Sequence, residues 1–277
     1  MNKENYFIKQ FIKKRNNFIG DDGAVIGNQV FSTDSFFENV HFKCEWMSLK
    51  QIAIKAMLVN VSDVIVMNSV PKYALLAVAI PNYFTKKDLR QLASGFKQVA
   101  KEFEIEIIGG DTISNDKLDI SITIISECKK PVLRSGTKKS DLVCYTGKIG
   151  SCKKDLKKLL KGEKIDKKSK FITPQLKPNF FYEIAPYISS ALDISDGLFF
   201  ELERLSRINN VDFIFSKNIP TNKGCSGEEY EILFTFNQNA KKDIKKIAKK
   251  HNIKLTIFAK AINGQYKSTC KDHHFAR

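Results

Sequence analysis

The chain has 277 residues, 43% hydrophobic and 27% charged, enough for two packed α/β domains or one large one and ordinary for a globular protein. Its formal charge of +16 reads as a solvated lysine-rich surface, with runs at 153–158, 161–170 and 241–250, while nucleic-acid binding remains the competing reading. Residues 1–18 alternate charges with aromatics and do not read as a signal peptide, and apolar stretches such as Ala74–Ile80 are too short to span a bilayer.

Taken in order, Ala24–Thr33 predicts a strand, and Ser48 caps a helix reaching Met67, with Ile52, Ala56, Val59 and Asp63 at helical spacing. Tyr73–Ile80 predicts a buried strand closed by Pro81. Lys86–Phe103 predicts a helix, and Ile105–Ile108 and Leu118–Ser126 predict strands on either side of a glycine-rich turn. A Gly/Thr/Lys/Ser stretch between Arg134 and Asp141 marks a boundary, dividing the chain into domains 1–137 and 138–277. The second half predicts strand Leu142–Tyr145, helix 152–160, a helix near Phe180–Ile188, strand Ala191–Leu192 and helix Gly197–Ile208. Tyr230–Phe236, helix 239–250 and strand 254–259 complete it, giving an α/β (α+β) chain of two domains.

Six scattered cysteines (44, 128, 144, 152, 225 and 270) form no CxxC pair and read as reduced thiols of a cytoplasmic protein. Cys270-Lys-Asp-His-His274 lacks a second cluster, so no zinc site is expected. Cys44, near His41, reads as a small core residue and not as a nucleophile.

Five acidic segments carry the chemistry: Ile19–Val25, Ser32-Thr-Asp34, Asn60-Val-Ser-Asp63, Gly109-Gly-Asp-Thr112 and Asp193-Ile-Ser-Asp-Gly197. Carboxylates brought together in one place repel strongly, so such a set calls for a cation. Mg²⁺ prefers oxygen ligands and is held by a few carboxylates together with substrate phosphates. Taken singly, each segment is also an ordinary turn or helix cap, and Asp196 stands where it could cap the helix that follows. Asp63 fits that plain reading least, because it lies inside an apolar helix. The chain has no GxxxxGK[ST], no GxGxxG and no protein-kinase catalytic loop.

In this order the segments resemble thiamine-monophosphate kinase, of the aminoimidazole-ribonucleotide-synthetase-like superfamily. Val40-His-Phe42, Arg134-Ser-Gly136, Thr146-Gly147 and Gly227-Glu-Glu-Tyr-Glu-Ile232 extend the match over about residues 19–236, with an echo at His274-Phe275. The resemblance implies that superfamily's two-domain fold, and ATP-dependent phosphorylation of thiamine monophosphate to thiamine diphosphate by direct in-line transfer with several Mg²⁺ ions. It implies Asp22, Ser32, Thr33, Asp34, Asp63, Asp111, Asp193 and Asp196 as metal ligands. Gly110, Asp111, Arg134 and Ser195 would touch ATP, and His41 and Glu228 the thiamine phosphate. No catalytic nucleophile is implied. A cytoplasmic homodimer pairing its N-terminal strands across subunits is implied too, with no membrane or nucleic-acid partner.

The chain departs from the pattern in places. Asn39 stands where the family has Gly, and Val66-Met-Asn-Ser69 where it has Ala-Met-Gly-Ala. Thr173 and Lys177 replace two arginines, the 220–228 segment is short, and Trp46 is the only tryptophan. These changes fall on the substrate side. The alternatives are a superfamily relative with another acceptor (a hydrogenase-maturation dehydratase, a selenophosphate synthetase or a purine-pathway ligase), a paralogue that binds thiamine phosphates without acting on them, or a basic nucleic-acid-binding protein.

Overall fold

The computed structural model describes residues 3–12 and 18–270. The first half runs α1 (Lys3–Lys9), β1 (Ala24–Ile26), β2 (Gln29–Phe37), α2 (Leu49–Val66), β3 (Val70–Pro81), α3 (Lys86–Glu102), β4 (Glu106–Asn115) and β5 (Asp119–Glu127). The second runs β6 (Leu142–Thr146), α4 (Ser151–Leu160), α5 (Pro178–Ile184), β7 (Ile188–Asp193), α6 (Leu198–Asn209), β8 (Val211–Phe215), α7 (Thr221–Gly224), β9 (Ile232–Phe236), α8 (Lys241–Lys250) and β10 (Leu255–Asn263). The fold is mixed α/β with two five-stranded sheets, ordered β1-β2-β5-β3-β4 and β7-β9-β6-β10-β8. Both are antiparallel apart from the parallel β3/β4 pair.

Local signals set the two long helices. Ser48 and Gln51 cap each other's backbone at the start of α2, and Thr85 and Asp88 do the same for α3. α2 is apolar on nearly every face, so it is buried between elements of both halves, touching β2 and β5 on one side and β7 and α5 on the other. One core therefore runs through Val61, Ile122, Phe180 and Phe234, while a second lies under α6 with Leu202, Phe213 and Phe258.

Three expectations need correction. The predicted strand 24–33 is a hairpin, because Gly27 (φ +62°) and Asn28 turn the chain between the paired residues Ile26 and Gln29. Gly109 and Gly110 lie inside β4 and not in a turn; their backbones pair with Leu75 and Leu76. A Cβ on Gly110 would sit 1.7 Å from the Leu76 carbonyl oxygen, so only glycine permits that approach. The helix expected near 180–188 is α-helical to Ile184 and continues as a 3₁₀ turn over Ala185–Tyr187, and β8 was not foreseen.

The cysteine expectation is also corrected. Cys225 and Cys270 form a disulfide, whereas Cys44, Cys128, Cys144 and Cys152 are free. Aromatic packing of Tyr266 against Phe199, Phe213 and Phe215 brings the 264–270 segment onto α6 and β8, which places Cys270 beside Cys225. The bond spans a sequence separation of 45. Chain entropy alone gives such a loop about 4 kcal/mol. Cys270→Ser should therefore lower the denaturation midpoint of the oxidised protein, and the difference should vanish in dithiothreitol. Equal midpoints without reductant would refute the pairing.

Candidate active site

α2 presents two polar stripes. Asn60 and Asp63, one turn apart, face β2; Lys55 and Ser62, two turns apart, face the second half. Asn60 Oδ1 accepts the Asp34 backbone N–H at 2.9 Å, and Ser32 Oγ donates to Asp63 at 2.6 Å. Ser62 Oγ donates to Asp193 at 2.6 Å, where β7 ends. The cost foreseen for a carboxylate at Asp63 is thus met in part by Ser32.

These contacts gather Asp22, Asp63 and Asp193, whose ligand atoms lie within 4.8 Å of one another. Asp22 comes from the loop before β1, and Arg134 holds it with a 2.7 Å ion pair while donating its own backbone N–H to Asp21. Asp34 joins the same field. Burial, then the charges of Glu228, Asp22 and Asp196, push its carboxyl up to about 6. Burial first, and then neighbouring aspartates, also push Asp63 and Asp193 well above the usual carboxylate range. Hard oxygen donors that resist carrying their charges together fit a small divalent cation.

Other expected residues fall around this centre. The cap position of α6 is Gly197 and not Asp196, whose carboxylate takes an ion pair from Arg204 at 2.6 Å. Glu201, buried on α6, accepts the Asp196 N–H and binds the same Arg204. The Ser195 carbonyl accepts the Glu228 N–H at 2.6 Å, tying the 226–231 turn to the Asp193–Gly197 turn. His41 takes the Phe37 N–H on Nδ1 and stacks on Phe36 at 5.7 Å. Cys44 lies half-buried, and burial, then Glu38, push its thiol up to about 12, which suits a packing residue and not a nucleophile.

Two expected ligands stand apart. Along β2, Ser32, Asp34 and Phe36 share the α2 side of the sheet, and alternation puts exposed Thr33 on the other, beside Thr123. Gly110 and Asp111 lie on β4, an edge strand exposed along its whole length. The register Ser35–Ser121–Ala77–Asp111 sets Asp111 three strand spacings from β2, about 14 Å. The His274-Phe275 echo and most of the Cys270–His274 tail lie outside the described residues.

The departures from the family pattern become intelligible here. Asn39 and Asn68 both stand where the pattern has glycine, at φ 65° and 57°. Asn is among the side chains that best tolerate that left-handed conformation, so both turns are kept. Lys177 still reaches Glu231 at 2.6 Å, beside a buried network of Lys170, Glu229 and Glu231. Sequence reasoning passed over Lys55, Asp21, Glu201 and Arg204. A lysine inside Ile52–Leu58 and an acid and arginine at i,i+3 were visible signals, but their partners were not.

Two sheets sharing a buried helix, with a carboxylate centre where the two halves meet, define an AIR-synthase-related α/β protein, and a family profile described as "AIR synthase related protein, N-terminal domain" matches residues 20–128. Thiamine-monophosphate kinase of Pyrococcus horikoshii is 30% identical over 84% of this chain and 82% of its own length. That of Bacillus subtilis is 34% identical over 70% of this chain, which spans 65% of it. The chain belongs to the thiamine-monophosphate kinase family. A solved structure of "AaThiL complexed with AMPPCP and TMP" superposes with a TM-score of 0.82 at 23% identity, covering 95% of this chain and 91% of that one, and supports the fold.

Proposed function

We propose that this protein phosphorylates thiamine monophosphate with ATP, giving thiamine diphosphate and ADP. An oxygen of the acceptor phosphate forms the new bond to the γ-phosphorus, the bridging bond to the β-phosphate breaks, and ADP leaves. The observation that carries this is the convergence of Asp22, Asp63 and Asp193 within 4.8 Å. Asp34, Asp196 and the Ser32 hydroxyl surround that centre and complete an oxygen-rich set for Mg²⁺. Bound there, Mg²⁺ would neutralise charge on the transferring phosphates. Arg134, whose guanidinium fork lies between Asp22 and the Gly20 carbonyl, is suited to a nucleotide phosphate. His41 and Glu228 form the acceptor side, and Ser195 lies beside Glu228. No helix of the described residues is long and apolar enough to cross a membrane. ATP as co-substrate fits the cytoplasm. We set the domain boundary at 137/138, between β5 and β6.

The purified protein with ATP, Mg²⁺ and thiamine monophosphate should yield thiamine diphosphate by chromatography, and none in EDTA. Stabilisation by ATP without product would point to another acceptor; no response to ATP would overturn the proposal.

A homodimer completes the site. Thr33, Gly110 and Asp111 lie off the carboxylate centre of their own chain, while the β4 edge exposes Ile107, Ile108 and Ile113. An uncovered apolar edge strand invites a second strand. A second copy paired at this edge would cover Gly110 and Asp111, and a nucleotide reaching from the carboxylate centre towards β4 would end at that seam. Ile113→Lys should halve the mass seen by sedimentation and remove most turnover; an active monomer would refute the shared site.

A further inference from the structure

Lys55 stands in the middle of α2 with none of its side chain reaching solvent. Its Nζ lies 2.7 Å from Glu228 Oε2, 3.9 Å from the centre of the Phe171 ring and 5.6 Å from that of Phe36. The contacts come from three separate places: β2, the segment before α5, and the turn before β9. Phe36 in turn stacks on His41. A continuous path of ring and charge therefore joins His41 to Glu228, with Lys55 at its centre.

Stability does not account for this lysine. A buried ion pair gains little over a well-packed apolar side chain. Beyond their 2.7 Å ion pair, neither Lys55 Nζ nor Glu228 Oε2 has a hydrogen-bond partner among the described residues, which makes the burial costlier still. Met57 and Leu58 alongside are fully packed, so the helix accommodates long apolar side chains here.

Glu228 is where a charge would matter. It is partly exposed, and Glu228 and Tyr230 both adopt left-handed backbone (φ 61° and 47°), a conformation that L side chains enter reluctantly. The turn is tethered to Ile194 and Ser195, directly behind Asp193. A Glu228 without a counter-ion would add one more negative charge beside Asp34, in a site that must admit two phosphate-bearing molecules.

Resting on the kinase reading above, we infer that Lys55 is the positioning residue of the acceptor side: it pins and neutralises Glu228, so that this carboxylate meets the phosphate ester and its cationic heterocycle without repelling the phosphate. Lys55 acts through Glu228 and touches no reacting atom.

The test is a double-mutant cycle of Lys55→Met and Glu228→Gln, with kcat and KM measured separately for ATP and thiamine monophosphate. Lys55→Met, close in shape and apolar, should raise the acceptor KM about tenfold or more and leave the ATP KM within about twofold. The double variant should be no worse than the worse single one, because each substitution removes the same pair. Lys55→Arg should recover part of the acceptor affinity. ATP-dependent thermal stabilisation of each variant checks that the fold and the nucleotide side persist. With an active wild type, equal loss for both substrates, or multiplying effects of the two substitutions, would overturn the role of Lys55 alone. A wild type that neither turns over nor is stabilised by thiamine monophosphate would overturn the kinase reading, and the role with it.

Discussion

Asp63→Asn should lower turnover by about a thousandfold or more while making the metal-free protein more stable. The substitution keeps shape, and the amide oxygen can still accept from Ser32 Oγ, which now lies 2.6 Å from Asp63 Oδ2. What disappears is a carboxyl that the metal-free fold must either leave charged against Asp34, Asp193 and Asp22 or keep protonated, each at a cost in stability. Two carboxylates at such separations repel by a few kcal/mol at an effective dielectric near 20, so relief of about 2 kcal/mol is expected. The cost falls on catalysis. In-line phosphoryl transfer with no protein nucleophile depends on positioning and charge neutralisation, and Asp63 is the carboxylate that α2 carries to the centre. Steady-state rates and thermal melts in EDTA check both halves. Turnover within tenfold of wild type would remove Asp63 from the machinery.

Without metal, the protein should lose stability as pH rises from about 4 to beyond 6, and Mg²⁺ should restore it most at high pH. Asp34 titrates near 3.8 when unfolded and at about 6 when folded. Between those values the folded state holds a proton that the unfolded chain has released. Its contribution is thus fully present below the unfolded value and is lost as pH rises through the folded one. A shift of this size corresponds to about 3 kcal/mol. Asp63 and Asp193 are raised as well, by burial first and then by Asp34 at Asp63 and by Asp22 at Asp193, so both add to the loss in the same direction. Melting curves with Mg²⁺ and with EDTA across pH 5 to 8 read the effect as a difference, which removes other titrating groups. A gap that stays constant or narrows with pH would contradict a cation site built from these aspartates.

Much of the fold was legible residue by residue. Ser48 marked the start of α2, and the structure shows the same local arrangement, complete in four residues, with Gln51 there and with Thr85 and Asp88 at α3, where the spacing of apolar residues had given the helix but not its cap. Period-2 alternation likewise separates Ser32 and Asp34 from Thr33, so the departure of Thr33 to the opposite face could have been read from spacing alone. Gly109-Gly110 misled, since two residues without side chains look like a turn. Only the closeness of Leu76 shows why a strand needs them there.

The amino-acid order by itself determined the acidic segments, the caps, the two α/β halves and the family to which they belong. These are short-range patterns, and each is complete within a few residues. Tertiary structure alone decided which acids meet. Burying α2 between both sheets sets Asp63 against Ser32 on one side and Ser62 against Asp193 on the other, while the strand order carries Asp111 to the far edge. It also gave Lys55 its partner. Such choices rest on contacts between distant parts of the chain, where the same aspartate is a surface turn or a metal ligand according to what packs beside it.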